Sequence, residues 1–224
     1  MRKLILILLL VAGSTQLSFA QKDVEAKKIL NAVTLKYKSY NLIKADFTFL
    51  LDDQQAQVKS TQFGTLVTQP KLNKFKVTIY DPTNKTTALQ EIISDGKSQW
   101  TYVIKDKEAE LNDVDHSEDN LNPAQLFTIY EHGYKYVYTG DDMIDGVKCQ
   151  IIDLSPDDAK KVFFKIRLAI DKSKKLIHSA LIFDKNGARY TYTIRTLTPN
   201  PKLPENIFSF EKKDHPGVEV VDLR

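Results

Sequence analysis

The sequence contains very little cysteine, glycine and proline. Cys149 is the only cysteine among 224 residues, so no disulfide bond can form within the chain. Eight glycines and eight prolines are too few for a fibrous or low-complexity protein. Hydrophobic residues make up 42% of the chain and charged residues 27%, which is the composition of a globular protein. The sequence therefore predicts a folded domain whose core is stable without disulfide bonds.

The sequence also lacks a strong charge of either sign. Lys and Arg together number 32, and Asp and Glu together number 29, which gives a formal net charge of +3. Domains that bind nucleic acid carry a clustered excess of basic residues, because these residues must neutralise phosphate groups. We therefore expect no nucleic-acid partner.

Long apolar runs are missing except at the N-terminus. Two basic residues precede an apolar run over residues 4–12, which is shorter than the roughly 20 residues needed to span a bilayer. Ser18-Phe19-Ala20 then supplies the small residues that signal peptidase requires, so we predict a signal peptide over residues 1–20, cleaved after Ala20. Residue 21 is Gln rather than Cys, so the exported domain, residues 21–224, is expected to carry no lipid anchor and to be soluble.

Hydrophobic periodicity predicts one helix followed by many strands. Apolar residues recur at spacings of three and four between Ala26 and Tyr40, which is the period of an amphipathic helix. From Lys44 to the alternating pair Phe208 and Phe210 the period is two, and turn signals such as Asn186-Gly187 separate the runs. We count about ten or eleven strands. The pattern predicts one antiparallel sheet with one apolar and one polar face.

A second, shorter helix is predicted over residues 122–132. Asn122-Pro123 supplies an N-cap and an N1 proline, and Gly133 ends the helix. Because this helix is short and lies between polar or glycine-containing connections, we interpret it as a displaceable lid over an apolar cavity. Each methylene group of a bound acyl chain would contribute about 0.8 kcal/mol there. A core that is simply filled fits the same pattern, and both interpretations remain open.

Residues that could carry chemistry are sparse. The four histidines show no spacing typical of a zinc site. Gly96-Lys97-Ser98 lacks the second glycine of a nucleophile elbow, so Ser98 is interpreted as a turn residue. We therefore expect no enzymatic activity, no catalytic residue, no metal and no cofactor.

Several blocks of the sequence, in their order and spacing, carry a resemblance to a known family. The blocks are Ala45-Asp46-Phe47, Gly64-Thr65-Leu66-Val67-Thr68-Gln69-Pro70, Phe75-Lys76-Val77, Ile93-Ser94-Asp95-Gly96-Lys97 with Trp100-Thr101-Tyr102, Asn122-Pro123, and Phe208-Ser209-Phe210 with Pro216-Gly217-Val218-Glu219-Val220. Together they resemble the LolA family, the periplasmic carriers of outer-membrane lipoproteins in Gram-negative bacteria. The resemblance implies a mainly β (α+β) fold, namely a single incomplete antiparallel β-barrel of about eleven strands covered by helices.

The resemblance also implies a function and its partners. A member of this family is a soluble periplasmic chaperone that receives acylated lipoproteins from an inner-membrane ABC exporter of the LolCDE type. It delivers them to an outer-membrane acceptor, which is LolB-like or of unknown kind, and we expect this protein to be a monomer. Two alternatives are a lipid- or lipoprotein-sensing module of the same fold and an envelope hydrolase or adhesin.

Strand alternation and the resemblance together nominate the site residues. The expected wall of the lipid cavity consists of Phe47, Phe49, Phe75, Val77, Trp100, Tyr102, Phe164 and Ile166. The expected underside of the lid consists of Leu126, Phe127, Ile129 and Tyr130. Well-known family members carry an arginine directly before the proline of the Pro70 block, where it helps to hold the lid closed. Gln69 occupies this position here, and a latch formed by an amide is expected to be weaker because it lacks charge assistance.

Overall fold

The computed structural model of the protein describes residues 24–114, 127–128, 130–131 and 133–224. The predicted signal peptide and most of the predicted lid helix lie outside the described residues. Within these described residues there is one α-helix, α1, which covers residues 24–38. Twelve strands follow it: β1 (Ile43–Asp53), β2 (Val58–Gln69), β3 (Lys74–Tyr80), β4 (Ala88–Ser94), β5 (Ser98–Val103), β6 (Glu108–Asp113), β7 (Tyr134–Ile144), β8 (Val147–Pro156), β9 (Phe163–Asp171), β10 (Leu176–Asp184), β11 (Arg189–Pro199) and β12 (Glu219–Asp222).

All twelve strands belong to one open sheet. Their order is β12-β6-β5-β4-β3-β2-β1-β11-β10-β9-β8-β7, so β12 and β7 are the two edges. Neighbouring strands are antiparallel, except that β12 runs parallel to β6. The predicted mainly β fold with an unclosed sheet is therefore confirmed in outline. The predicted number of about eleven strands was too low.

The segment around Phe208 and Phe210 was predicted as a strand, and this prediction was wrong. Glu205–Phe208 forms a short 3-10 helix, which lies against β3, and the chain then runs in a loop to a second short 3-10 helix, Lys212–Asp214. Pro201 and Pro204 precede this segment, and proline cannot donate the N–H that a strand ladder needs. The spacing of two between the phenylalanines therefore does not reflect a strand.

The two faces of the sheet are covered differently. We call the face that packs against α1 the inner face and the opposite one the outer face. Helix α1 contributes a row of buried residues to the inner face, spaced by three and four as predicted: Ala26, Ile29, Leu30, Val33 and Tyr37. The hydroxyl of Tyr37 accepts a hydrogen bond of 3.1 Å from the backbone N–H of Ile177, beside a β-bulge that interrupts the ladder between β9 and β10. Burial raises the pKa of Tyr37, so this hydroxyl stays protonated.

The two ends of the sheet also differ. At one end, Tyr37 of α1 contacts Ile177 at the start of β10. The other end, which we call the hairpin end, contains the connections between β1 and β2 (53–58), between β8 and β9 (156–163) and between β10 and β11 (184–189).

Candidate functional site

The inner face carries one continuous apolar cluster that contains five of the eight predicted wall residues. Phe47, Phe75, Val77 and Ile166 are buried within the cluster, and Phe49 packs against it while half-buried. These residues come from β1, β3 and β9, which are far apart along the chain. The strand pairing aligns them on one face because residues that are directly opposite in a ladder point to the same side. The structure brings these five side chains together, and their contact with an acyl chain stays a prediction.

Trp100 and Tyr102 lie on the outer face, so the prediction that they share the wall of Phe75 and Val77 was wrong. Pairing through β4 places Val77 and Thr101 on the same face, and Thr101 stands between the two aromatic residues. The ring of Phe210 lies 6.5 Å from Trp100 and 5.6 Å from Tyr102. The C-terminal segment thus covers the outer face at β5, which allows large apolar side chains there.

Phe164 also points away from the predicted wall. It is 51% exposed, whereas Phe163 and Ile166 are 1% and 0% exposed. The register between β9 and β10 shifts at Phe183, which marks a β-bulge. A bulge inserts one extra residue into a strand, so Phe163 and Ile166 both face inward although three positions separate them. Strict alternation counted back from Ile166 therefore assigned Phe164 to the wrong face.

Four aromatic rings of β1 and β11 form a continuous aromatic wall on the inner face. The ring centroids of Phe47 and Tyr192 are 6.3 Å apart, those of Phe49 and Tyr192 are 4.8 Å apart, and those of Phe49 and Tyr190 are 6.1 Å apart in a stacked arrangement. Burial raises the pKa of Tyr192 to about 12 and also raises the pKa of Tyr190. Along β1 the wall extends from the buried cluster towards the hairpin end, and Phe49, Tyr190 and Tyr192 are only half-buried.

The sequence analysis did not nominate Tyr190 and Tyr192. Their period of two with Ile194 was visible, but the bulge between β1 and β11 after Asp46 made the partner of Phe47 impossible to assign from spacing. Both tyrosines therefore join the candidate site on structural grounds.

Two residues of the predicted lid, Phe127 and Tyr130, are described and are buried at 0% and 4% exposure. We call them the cover residues. The ring of Phe127 lies 4.8 Å from the ring of Tyr37 in α1. The hydroxyl of Tyr130 accepts a hydrogen bond of 3.2 Å from Oγ1 of Thr34. Both cover residues therefore contact α1. Burial also raises the pKa of Tyr130 to about 12.

One further contact joins the cover to α1. Nζ of Lys38 lies 3.5 Å from Oε1 of Glu131, and the lysine side chain is 65% exposed. Leu126 and Ile129 lie outside the described residues, so their predicted place on the underside of the lid stays a prediction.

A cavity of ≈ 210 Å³ lies where α1, the cover and the turn after β2 meet. Its lining combines apolar rings with polar and charged side chains: Thr34, Tyr37, Lys38, Tyr40, Pro70, Lys71, Phe127, Thr128 and Glu131. Pockets that enclose small molecules usually measure about 300–1,000 Å³. A guest entering at this cavity would therefore have to displace the ring of Phe127 and its neighbours.

Gln69, the predicted latch, is the last residue of β2 and is half-buried. Thr68 pairs with Phe75 on the inner face, so the alternation of β2 directs Gln69 towards the outer face. Its side chain does not cap the short 3-10 helix Pro70–Leu72 that follows. The latch role of Gln69 stays a prediction. The contacts of the cover that are described above involve α1 and not Gln69.

Two other features bear on function. Within the described ranges, no three His, Cys, Asp or Glu side chains come together as a metal-ligand set. No helix in the part of the chain that the structure describes is both long and apolar enough to pass through a membrane.

Comparison with known proteins identifies the family. The family model described as outer membrane lipoprotein carrier protein LolA matches residues 38–211. An outer-membrane lipoprotein carrier protein of Legionella pneumophila (strain Corby) is 28% identical over 225 residues, with 99% of each chain covered. One from Histophilus somni (strain 2336) is 27% identical over 218 residues, with 96% of this chain and 95% of that protein covered.

One solved structure shows a similar fold. An uncharacterized conserved protein from Thermus thermophilus superposes with a TM-score of 0.57 at 12% identity, with 88% of this chain and 98% of that chain covered. Because the family model spans most of the chain, from the end of α1 to beyond Phe210, the match includes the aromatic wall and the cover residues. The chain belongs to the LolA family of outer membrane lipoprotein carrier proteins.

Proposed function

We propose that this protein is a soluble periplasmic carrier that binds the acyl chains of lipoproteins on its inner face and moves them from the inner to the outer membrane. Residues 1–20 direct export and are removed after Ala20. The donor is an ABC exporter of the LolCDE type, and the acceptor is LolB-like or of another kind. Membership of the family and the names of its relatives, which are outer-membrane lipoprotein carrier proteins, support this role. A carrier performs no covalent chemistry and therefore needs no catalytic residue.

The observation that carries this proposal is an apolar inner face whose described cover contacts α1 through side chains, namely a ring pair, a hydrogen bond and an exposed ion pair. The aromatic wall offers half-buried rings to a guest, while β1 and β11 behind it are paired along their length. An acyl chain lying along Phe49 and Tyr192 would exclude water from those rings. The gain would be about 0.8 kcal/mol for each methylene group that is removed from water.

The contacts that hold the cover are individually weak. An aromatic pair such as Phe127 with Tyr37 contributes about 0.5–1.5 kcal/mol beyond its buried area. A neutral hydrogen bond such as that between Thr34 and Tyr130 contributes about 0.5–1.5 kcal/mol, and an exposed ion pair contributes about 0–1 kcal/mol. Opening the cover forfeits these contacts together with the apolar burial of Phe127, which contributes about 1.5–3 kcal/mol, so several methylene groups of cargo must leave water to offset the loss.

A reversible cross-link between α1 and the cover tests this proposal. Lys38→Cys and Glu131→Cys place two thiols at the ion pair, and a bifunctional maleimide with a disulfide in its spacer joins them. Cys149 does not interfere, because it is fully buried and burial raises the pKa of its thiol to about 11. We expect the cross-linked protein to accept no triacylated lipoprotein from inner-membrane vesicles with exporter and ATP, and to accept it again after reduction.

The matched control places the same cross-link within α1, where it does not restrain the cover. Glu25→Cys and Lys28→Cys replace an ion pair of 3.9 Å within the helix, and this linked protein should accept lipoprotein as the unmodified protein does. Equal acceptance by both linked proteins would show that cargo does not enter by moving the cover. Absence of acceptance by the unmodified protein, with a functional exporter present, would contradict the carrier role itself.

A further inference from the structure

The outer surface at the hairpin end carries large apolar side chains that are open to water. Val162, directly before β9, is 56% exposed, and Phe164, the second residue of β9, is 51% exposed. The ring of Phe183, at the end of β10, lies 6.0 Å from the ring of Phe164. Single exposed apolar residues are normal on soluble proteins, but a contiguous group of them usually marks an interaction site.

Cations surround this apolar group. Nζ of Lys165 lies 4.1 Å from the centroid of the Phe183 ring, and the guanidinium carbon of Arg189 lies 5.7 Å from the same centroid. Lys185 is exposed in the adjoining turn, where its backbone N–H donates to the carbonyl of Val162. We call these six residues the hairpin-end patch: Val162, Phe164, Lys165, Phe183, Lys185 and Arg189.

The carboxylates near the patch are already engaged by other groups. Asp153 accepts two hydrogen bonds, of 2.7 and 2.8 Å, from the guanidinium of Arg167, and Lys165 lies 3.9 Å from it. Asp184 accepts a hydrogen bond from the backbone N–H of Asn186, and Asp158 accepts one from the backbone N–H of Lys160. Asp52, which pairs with Arg189 across the ladder, lies 3.9 Å from Nζ of Lys59, and Nζ of Lys185 donates to the carbonyl of Ala159, which is a neutral group. Lys185 and Arg189 are both exposed and keep their positive charge towards an outside anion.

We propose that the hairpin-end patch docks the protein on the surface of an anionic phospholipid bilayer. Exposed apolar and aromatic side chains enter the region between head groups and acyl chains, while neighbouring lysine and arginine side chains pair with lipid phosphates. The patch lies on the outer face at the hairpin end, and the aromatic wall on the inner face extends towards the same end, so docking brings that end of the wall close to the bilayer. This role rests on the carrier function proposed above and adds to it the place where the carrier meets a membrane.

Vesicle flotation with the purified protein tests the docking directly. The vesicles consist either of phosphatidylcholine alone or of phosphatidylcholine mixed with phosphatidylglycerol. We expect binding to the mixed vesicles that weakens with added salt, because salt screens the charged component. Phe164→Ser should weaken this binding about tenfold, because roughly half of a phenylalanine side chain is lost from the contact. Arg189→Gln should weaken it about fivefold and only for the mixed vesicles.

Matched controls separate the patch from general effects of polarity and charge. Met143→Ser removes a side chain that is 59% exposed at the far end of β7, and Lys174→Gln removes a charge whose side chain is 72% exposed in the turn between β9 and β10. Both controls should bind vesicles as the unmodified protein does. All four substitutions lie at exposed or half-exposed positions, and unchanged thermal unfolding verifies that the variants are folded.

The outcomes distinguish this proposal from the carrier function. Vesicle binding that is absent, or that Phe164→Ser and Met143→Ser weaken equally, would overturn the docking role. If Phe164→Ser lowers lipoprotein acceptance from the detergent-purified exporter while vesicle binding is absent, the patch contacts a protein and the membrane proposal is wrong. Acceptance of lipoprotein without vesicle binding would leave the carrier role intact, whereas vesicle binding without acceptance would contradict the carrier role alone.

Discussion

The substitution Phe127→Ala separates a movable cover from an ordinary part of the core. Phe127 is completely buried and its ring lies 4.8 Å from that of Tyr37. Removing the ring forfeits about 1.5–3 kcal/mol of apolar burial and about 0.5–1.5 kcal/mol of aromatic pairing. If the cover opens on its own, its opening free energy should fall by about 2–4.5 kcal/mol, while the free energy of global unfolding changes much less.

Hydrogen exchange measures this difference at one defined bond. The backbone N–H of Glu131 donates to the carbonyl of Thr128 at 2.9 Å, so its exchange reports opening of the cover. A change of about 2–4.5 kcal/mol corresponds to exchange that is roughly 30- to 2,000-fold faster. The amides of β1 and β11 should keep their protection, because the sheet ladder contains no residue of the cover.

Phe75→Ala is the matched control for this experiment. Phe75 is 1% exposed on the same apolar cluster, but it belongs to the centre of the sheet. Its truncation should lower the free energy of global unfolding, measured in urea, by about 3–5 kcal/mol. The reasoning is refuted if Phe127→Ala lowers the free energy of global unfolding as much as Phe75→Ala does, with Glu131 and the strand amides accelerating together. The cover would then be a fixed part of the core.

Three further substitutions probe the same site. Thr34→Val removes the hydrogen bond to Tyr130, so the opening free energy of the cover should fall by about 0.5–1.5 kcal/mol, which exchange at the cover amides will detect. Gly64→Ala places a Cβ 2.5 Å from the ring of Phe47 and 2.9 Å from a backbone oxygen of β3. The free energy of unfolding, measured in urea, should therefore fall by about 1–3 kcal/mol, and an unchanged midpoint of unfolding would contradict this packing. Burial raises the pKa of Tyr192 from 10.0 to about 12, so this tyrosine ionises more easily in the unfolded chain than in the folded one. The free energy of unfolding should therefore fall between about pH 10 and pH 12, by up to ~1.4 kcal/mol per pH unit. Tyr192→Phe should reduce this slope, and an unchanged slope would show that the hydroxyl is accessible to water.

The periodicity of the sequence was sufficient to predict α1 and most strands, because each pattern is local. It also indicated that Phe75 and Val77 share a face. It was insufficient to decide which face of β5 is the inner one, because that depends on a segment more than 100 residues away that covers Trp100 and Tyr102. Alternation within a strand gives relative orientation, and only the pairing of all intervening strands gives the absolute side.

Two of the β-bulges, those at Phe183 and after Asp46, explain most of the remaining differences. The bulge in β9 reverses the side on which Phe164 falls, and the bulge between β1 and β11 hides the pairing that creates the aromatic wall. A bulge has no strong sequence signal unless glycine marks it, and neither position contains glycine. The strand β12 was hard to recognise for a related reason, because its four residues pair in parallel with β6 and are not joined to it by a hairpin.

The location of the contacts explains how a cover can move while the sheet stays folded. The aromatic wall is built from β1 and β11, whose ladder is independent of residues 127–131. Helix α1 is attached to the inner face by its own buried row, from Ala26 to Tyr37, and does not need the cover for its burial on the sheet side. The ring contact, hydrogen bond and ion pair of the cover described above end on α1, at Tyr37, Thr34 and Lys38. Opening therefore breaks side-chain contacts and no strand pairing, so the free energy of opening can stay below that of global unfolding. A bound acyl chain then needs to compensate only for that smaller loss.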